Sequence, residues 1–325
     1  MSPTKISTVQ SLESLDALYQ REMPNLDSSL AQAARYHFKS PGKFFRAQLA
    51  LSSGTALGLN EQDNLHWAAA CELLHNASLL HDDISDSSTH RRGQQSIHER
   101  FGLDMALCLG DWMVAKAFEL AARNSTYGGV LSALLAQAMQ ETSSGQISDI
   151  TQRQCADLDK WQRIAKSKTA PLLIAPIKGA GLAVGLDKIP GSLASLESLD
   201  KLIGLCALAY QGRNDIDDII PSSRRSSDLE GRKPNLVISL FFQQGAGRDD
   251  FRTWYQSGDN LQLEHWQRRI ACSDVILKAN QSIDYWLIQA GQLVNLLPVQ
   301  LQPVAHGLVD SVKQKTSIKK QGQIA

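Results

Sequence analysis

Helical spacing runs through this chain almost from end to end, and sustained alternation of apolar and polar residues is nearly absent. Leu12, Leu15, Leu18 and Tyr19 form one stripe. Ala68, Cys71, Leu74, Asn76, Ser78 and Leu79 lie in a long run without an internal break, and residues 105–122, 130–139, 157–167, 199–218 and 275–297 read the same way. Ser40-Pro41-Gly42, residues 124–129, Ile189-Pro190-Gly191-Ser192 and residues 221–223 separate them with helix breakers. There is no internal repeat, no low-complexity linker and no Asn-Gly hairpin. The pattern predicts an all-α fold: one domain over residues 1–325, a many-helix bundle. The stretch 311–325 reads as a mobile basic tail, carrying Lys313, Lys315, Lys319 and Lys320.

The chain has 325 residues, enough to bury a large core. It is 43% hydrophobic and 20% charged, which argues against disorder. Lys plus Arg equals Asp plus Glu at 33 each, so the surplus of cations expected of a nucleic-acid partner is missing. The five cysteines are scattered, odd in number and without a CxxC pair, and they predict reduced packing residues in a cytoplasmic protein. No secretory leader is visible at the N-terminus. The longest apolar stretch, 170–186, is interrupted by Pro171, Pro176 and Lys178, so no transmembrane segment is expected.

The chemistry concentrates in two acidic runs, each following an apolar helical stretch. The first is His81-Asp82-Asp83-Ile84-Ser85-Asp86, continuing to Arg91-Arg92-Gly93. Asp82 and Asp86 are one helical turn apart, so they share a face and repel each other. They also fall at a helix C-terminus, where the macrodipole disfavours anions. Oxygen ligands in that setting suit Mg²⁺, which is commonly held by one or two carboxylates plus phosphate oxygens. Arg91 and Arg92 follow closely enough to bind such phosphates. The second run is Gln211-Gly212-Arg213-Asn214-Asp215-Ile216-Asp217-Asp218. The spacing places Gln211, Asn214, Asp215 and Asp218 on one face. Gly231-Arg232-Lys233 downstream adds further cations able to meet phosphate.

Together these runs resemble the two aspartate-rich motifs of the trans-isoprenyl diphosphate synthases, or polyprenyl synthetases. Other signatures of that family occur in the same order: Gly42-Lys43-Phe44-Phe45-Arg46, His75, Gly110-Asp111, Gly145-Gln146-Ile147-Ser148-Asp149 and Lys168-Thr169-Ala170. The likeness spans about residues 40–240. It implies an isoprenoid synthase fold around a deep central cavity, Mg²⁺ dependence and a homodimer. The implied reaction condenses isopentenyl diphosphate with an allylic prenyl diphosphate. Lys43, Arg46, His75 and Arg92 would hold isopentenyl diphosphate; Arg91, Lys168 and Lys233 would hold the allylic diphosphate. Thr169 and Gln211 would place oxygen dipoles by the allylic cation. Asp82, Asp86, Asp215 and Asp218 would serve the metals.

Two departures stand out. Asn214 replaces the Asp that opens the second motif, and Gly212 replaces a bulky apolar residue. An isoprene unit matches one helical turn in length, so Ala77 and Ser78, one turn before Asp82, would floor the cavity. Their small size predicts a product of C20 or longer, with C15 the alternative; Leu73, Leu74 and facing helices could close the cavity earlier. Two other readings remain: a terpene synthase on the same scaffold, against which the second diphosphate pocket argues, and a non-catalytic partner subunit, supported by the altered second motif.

Overall fold

A computed structural model describes residues 3–24, 28–40, 42–152, 157–220, 225–243 and 248–318. Pro41, Cys155, residues 221–223, Lys319 and Lys320 lie outside the described residues. The described chain is all-α apart from one minimal hairpin. In order, the helices are α1 (Pro3–Glu22), α2 (Ser29–Phe38), α3 (Phe45–Ala56), α4 (Glu61–Ser85), α5 (Ile97–Phe101), α6 (Leu103–Ala122), α7 (Gly128–Thr151), α8 (Leu158–Thr169), α9 (Pro171–Ala183), α10 (Ser192–Ile219), α11 (Ser227–Gly231), α12 (Leu236–Gln243), α13 (Arg248–Ser257), α14 (Leu263–Ala271), α15 (Val275–Leu293) and α16 (Gln302–Ile318). Residues 311–318 of the expected tail are therefore the end of a helix.

The contacts divide the chain into two compact units. The first comprises Met1–Gln140, Leu172–Leu196 and Pro298–Val304, and the second the remainder. In the first unit α4 packs against α3 and α6. Its Ala68, Ala69, Ala70, Leu73, Leu74, Ala77 and Leu80 are all buried, and the small residues let neighbouring helices approach closely. Trp67 is 1% exposed, and its indole donates to the Pro176 carbonyl at 2.9 Å, which ties α9 to α4. Asn60 caps α4 by accepting from the Asp63 amide at 2.9 Å. Glu22 at the end of α1 pairs bidentately with Arg123 after α6, at 2.8 Å for both bonds.

The hairpin, β1 (His90–Arg91) with β2 (Gln94–Gln95), pairs His90 with Gln95 and Arg91 with Gln94. Its turn residues Arg92 and Gly93 both have positive φ, 52° and 80°, as a two-residue hairpin of primed type requires. An arginine at the first of these positions hid the turn from the sequence, where Asn-Gly is the expected signal.

In the second unit, Trp161 of α8 stacks on Trp286 of α15 with ring centres 5.7 Å apart. Phe241, Phe251, Trp254, Tyr255 and Trp266 form a second aromatic cluster among α12, α13 and α14. Lys315 of α16 lies 3.4 Å from the ring centre of Tyr210 on α10, which further anchors the C-terminal helix.

Candidate active site

The first acidic run sits where the spacing placed it. Asp82 is in the last turn of α4 and Asp86 caps its C-terminus, both half-buried. Between them Asp83 turns inward, 2% exposed, and accepts from Arg91 Nε at 2.9 Å and Nη2 at 2.5 Å. Asp83 thus fixes the strand that carries Arg91. Asp82 and Asp86 offer oxygen donors one turn apart at a helix end that disfavours them, a donor set that fits Mg²⁺ completed by phosphate and water oxygens. No cluster of three or more His, Cys, Asp or Glu able to hold a metal occurs among the described residues, so the protein's own share at this point is the carboxylate pair.

The cationic residues of the first unit gather close by. Arg92 donates from Nη1 to the Ser40 carbonyl at 2.9 Å. Its guanidinium lies against Gly42, where an added Cβ would come within 2.7 Å of Arg92 Cζ. Gly42 is therefore required both for its φ of 81° and for room. His75 is held far below the usual imidazole range by burial, reinforced by the charges of Arg46, Arg92 and Arg91. This favours the neutral imidazole, which offers one N–H donor and one acceptor nitrogen. Lys43 is exposed and Arg46 half-buried at the start of α3. The N-terminal amides of α3, a natural seat for phosphate, are taken: Glu72 Oε2 accepts from the amides of Arg46 at 3.1 Å and Ala47 at 3.0 Å. Those two amides are therefore not open to a phosphate. Ala77 and Ser78 are 0% and 5% exposed, with the Ser78 hydroxyl turned back to the His75 carbonyl at 2.8 Å.

In the second unit Lys168 and Thr169 form the last turn of α8, and Lys168 Nζ donates to Asp149 Oδ2 at 2.7 Å. The second acidic run differs from its expected arrangement. Gln211, Asn214 and Asp218 are half-buried, but Asp215 is completely buried. Its Oδ1 accepts from Gln211 Nε2 at 2.8 Å. Its Oδ2 accepts from Trp161 Nε1 at 2.8 Å and the Leu236 amide at 2.6 Å. Burial and the nearby Asp228 push its pKa up while those three donors favour the carboxylate. As placed, Asp215 presents no oxygen to a metal; it is an internal anchor joining α8, α10 and α12. Asp218 is also engaged, accepting from the Ser226 hydroxyl, the Ser227 amide at 3.0 Å and the Asp228 amide at 3.2 Å. Asp217 pairs with the buried Arg213 at 2.5 Å.

The downstream cations separate as well. Lys233 is half-buried. Arg232, expected to meet phosphate, is instead 6% exposed and serves the fold. It donates to the carbonyls of Tyr255 at 2.9 Å, Leu229 at 2.5 Å and Asp259 at 2.9 Å, and its guanidinium lies 4.3 Å over the Trp254 ring. Gly212 has its own cause: a Cβ there would meet Leu236 Cδ2 at 2.9 Å and Ile283 Cγ1 at 3.3 Å, so α12 and α15 exclude a side chain.

The fold is that of solved prenyl synthases. A decaprenyl diphosphate synthase from Rhodobacter capsulatus superposes with a TM-score of 0.83 at 21% identity, covering 96% of this chain and 97% of that one. A geranylgeranyl pyrophosphate synthetase from Pyrococcus horikoshii gives 0.78 at 23% identity, covering 95% and 99%. In sequence, a short chain isoprenyl diphosphate synthase of Methanothermobacter thermautotrophicus is 30% identical over 230 residues, 68% of this chain and 69% of the relative. A geranylgeranyl pyrophosphate synthase of Geoglobus acetivorans is 28% identical over 266 residues, 78% and 79% of the two chains. The polyprenyl synthetase family model matches residues 27–267, and the chain belongs to that family.

Proposed function

We propose that this chain is a trans-prenyltransferase, a single synthase domain that condenses isopentenyl diphosphate with an allylic prenyl diphosphate to give a longer all-trans prenyl diphosphate. The observation that carries the reading is that the charges of Arg46 and Arg92 both bear on the buried His75 of α4, apart from the Asp83–Arg91 pair at that helix's aspartate end. A cyclase that adds no isopentenyl unit has no use for this second set of diphosphate-binding side chains.

By resemblance, Lys43, Arg46, His75 and Arg92 bind isopentenyl diphosphate, and Arg91, Lys168 and Lys233 bind the allylic diphosphate. Asp82 and Asp86 would hold Mg²⁺, which when bound neutralises charge on the departing diphosphate. The cationic side chains stabilise that same charge, by several kcal/mol in a water-poor site. By the same resemblance the Thr169 and Gln211 oxygens would stabilise the carbon left positive, which must be kept from water. Lys43 is exposed, so its ammonium is open to a substrate. Asp218 joins the metal set only by releasing Ser226 and Ser227, and Asn214 offers a neutral carbonyl oxygen beside it.

Product length of C20 or more is supported by the small Ala77 and Ser78. A homodimer is supported by the resemblance and by Leu103 and Leu107, exposed one turn apart on α6. Among the described residues no helix is long and apolar enough to cross a membrane. The internal engagement of all three aspartates in the second run favours one other reading, a partner subunit without turnover of its own. Purified protein incubated with Mg²⁺, an allylic diphosphate and labelled isopentenyl diphosphate decides between them. Label in a longer prenyl diphosphate supports elongation. Unlabelled hydrocarbon points to a synthase, and no product at all points to the subunit.

A further inference from the structure

Helix α3 begins badly by its own sequence. Its N-cap is Phe44, which has no side-chain acceptor and sits in the left-handed region at φ 49°, ψ 38°. The second and third amides of a helix normally bond to a Ser, Thr, Asp or Asn at the cap. Here they bond to Glu72, 26 and 25 residues further along the chain. Glu72 lies mid-helix in α4, 2% exposed, between Cys71 and Leu73. A carboxylate buried there brings a desolvation cost and no apolar packing, so it needs a compensating role.

Its surroundings supply one. Burial pushes the Glu72 carboxyl above the usual carboxylate range, and the charges of Arg46 and Arg92 together with the two α3 amides oppose that rise. The same two arginines, with Arg91, act together on His75, one turn further along α4. Arg91 is already matched by Asp83, whereas Arg46 and Arg92 repel each other, and the Glu72 carboxyl behind them, when ionised, offsets that repulsion. Asn76 pins this part of α4 from the other side. It donates to the Glu72 carbonyl at 2.8 Å, and its Oδ1 lies 2.9 Å from His37 Nε2 on α2.

We propose that Glu72 is a positioning residue for the isopentenyl diphosphate subsite: it caps α3 from a distance and balances Arg46 and Arg92, so the Lys43–Arg46 segment is held ready for a diphosphate. The inference rests on the chain-elongating reading and adds that one substrate's affinity, and not the other's, depends on this carboxylate.

The test compares Glu72→Leu and Glu72→Gln with the parent. Steady-state KM is measured for each substrate, titration calorimetry measures isopentenyl diphosphate binding, and thermal melting follows the fold. Glu72→Leu is expected to weaken isopentenyl diphosphate tenfold or more, with KM for the allylic diphosphate unchanged. Glu72→Gln keeps an oxygen for both amides but no charge, and is expected to weaken isopentenyl diphosphate about threefold. If Glu72→Leu does not fold, the Gln variant and its one-sided shift carry the test. Unchanged isopentenyl diphosphate affinity in a folded variant overturns the proposal. So does a parallel rise in both KM values with a fall in melting temperature, which marks a purely structural role. A parent that binds isopentenyl diphosphate but makes no product refutes the elongation reading alone, and the calorimetric comparison still decides the role of Glu72. A parent that does not bind it overturns both.

Discussion

Replacing Asp215 by Ala separates an internal anchor from a metal ligand. The substitution removes the acceptor of two buried donors, Trp161 Nε1 at 2.8 Å and the Leu236 amide at 2.6 Å. Each stranded donor costs about 1–3 kcal/mol, so the gross loss is about 2–6 kcal/mol. Relief of the carboxylate's burial and of its repulsion with Asp228 offsets part of this. A net loss of about 3 kcal/mol is expected, a fall in melting temperature of about 4 °C in a protein of this size. Asp215→Asn keeps one oxygen for Trp161 and Leu236, and its amide nitrogen can donate to a turned Gln211, so its loss should be about 1 kcal/mol. Melting is followed by circular dichroism with and without Mg²⁺ plus inorganic diphosphate. An anchor predicts that the Ala variant melts early in both conditions and keeps the ligand-induced rise. If Asp215→Ala melts with the parent in the absence of ligand but loses that rise, the anchor assignment is wrong and Asp215 is a ligand.

Three further outcomes are expected. The Arg123 hydrogen bonds to Glu22 hold its carboxyl down at about 2 from a usual 4.5, so its contribution is complete above pH 4.5 and disappears as pH falls toward 2. Glu22→Gln should therefore lose about 1–2 kcal/mol at pH 7 and match the parent near pH 2, as read by denaturant titrations at both values. Thr142 and Gln146 on α7 bury polar side-chain atoms that have no hydrogen-bond partner among the described residues. Thr142→Val and Gln146→Met should each raise stability by about 1 kcal/mol, and a lower melting temperature would show that these groups are satisfied by bound water or ligand. Ala77→Phe should shorten the prenyl product on chromatographic analysis, at an overpacking cost of about 1–3 kcal/mol; a product as long as the parent's refutes the floor assignment.

The helices and the first acidic run were legible because periodicity and helix-end chemistry are local. Asp82, Asp86 and the apolar stripe of α4 follow from 3.6-residue spacing, and so do their half-buried and buried positions. Partners far along the chain were not legible. Nothing near Glu72 announces that it caps a helix that begins at Phe45, and nothing near Arg232 announces the carbonyls of Tyr255 and Asp259. A charged residue read alone defaults to solvent or substrate, and only tertiary structure shows that its charge is already matched.

The second acidic run shows where spacing misleads. Residues three and four apart share a face, but Asn214 and Asp215 are adjacent and therefore about 100° apart around the helix. They cannot both lie at the centre of one face. A signal for choosing between them was present: Leu208, Gly212, Asp215 and Ile219 fall on one stripe at helical spacing, and all four are buried. Gln211, Asn214 and Asp218 occupy the half-buried face beside it. An aspartate on an apolar stripe belongs to the core and must find donors there, which Trp161 and Leu236 supply. The same division occurs in the first run, where Asp83 turns inward to Arg91 while Asp82 and Asp86 stay half-buried. In both runs the inward aspartate fixes the segment that carries a neighbouring functional group. The departure at Asn214 thus falls on the outward face of α10, where it alters the charge a ligand would meet while the buried Asp215 keeps the helix in place.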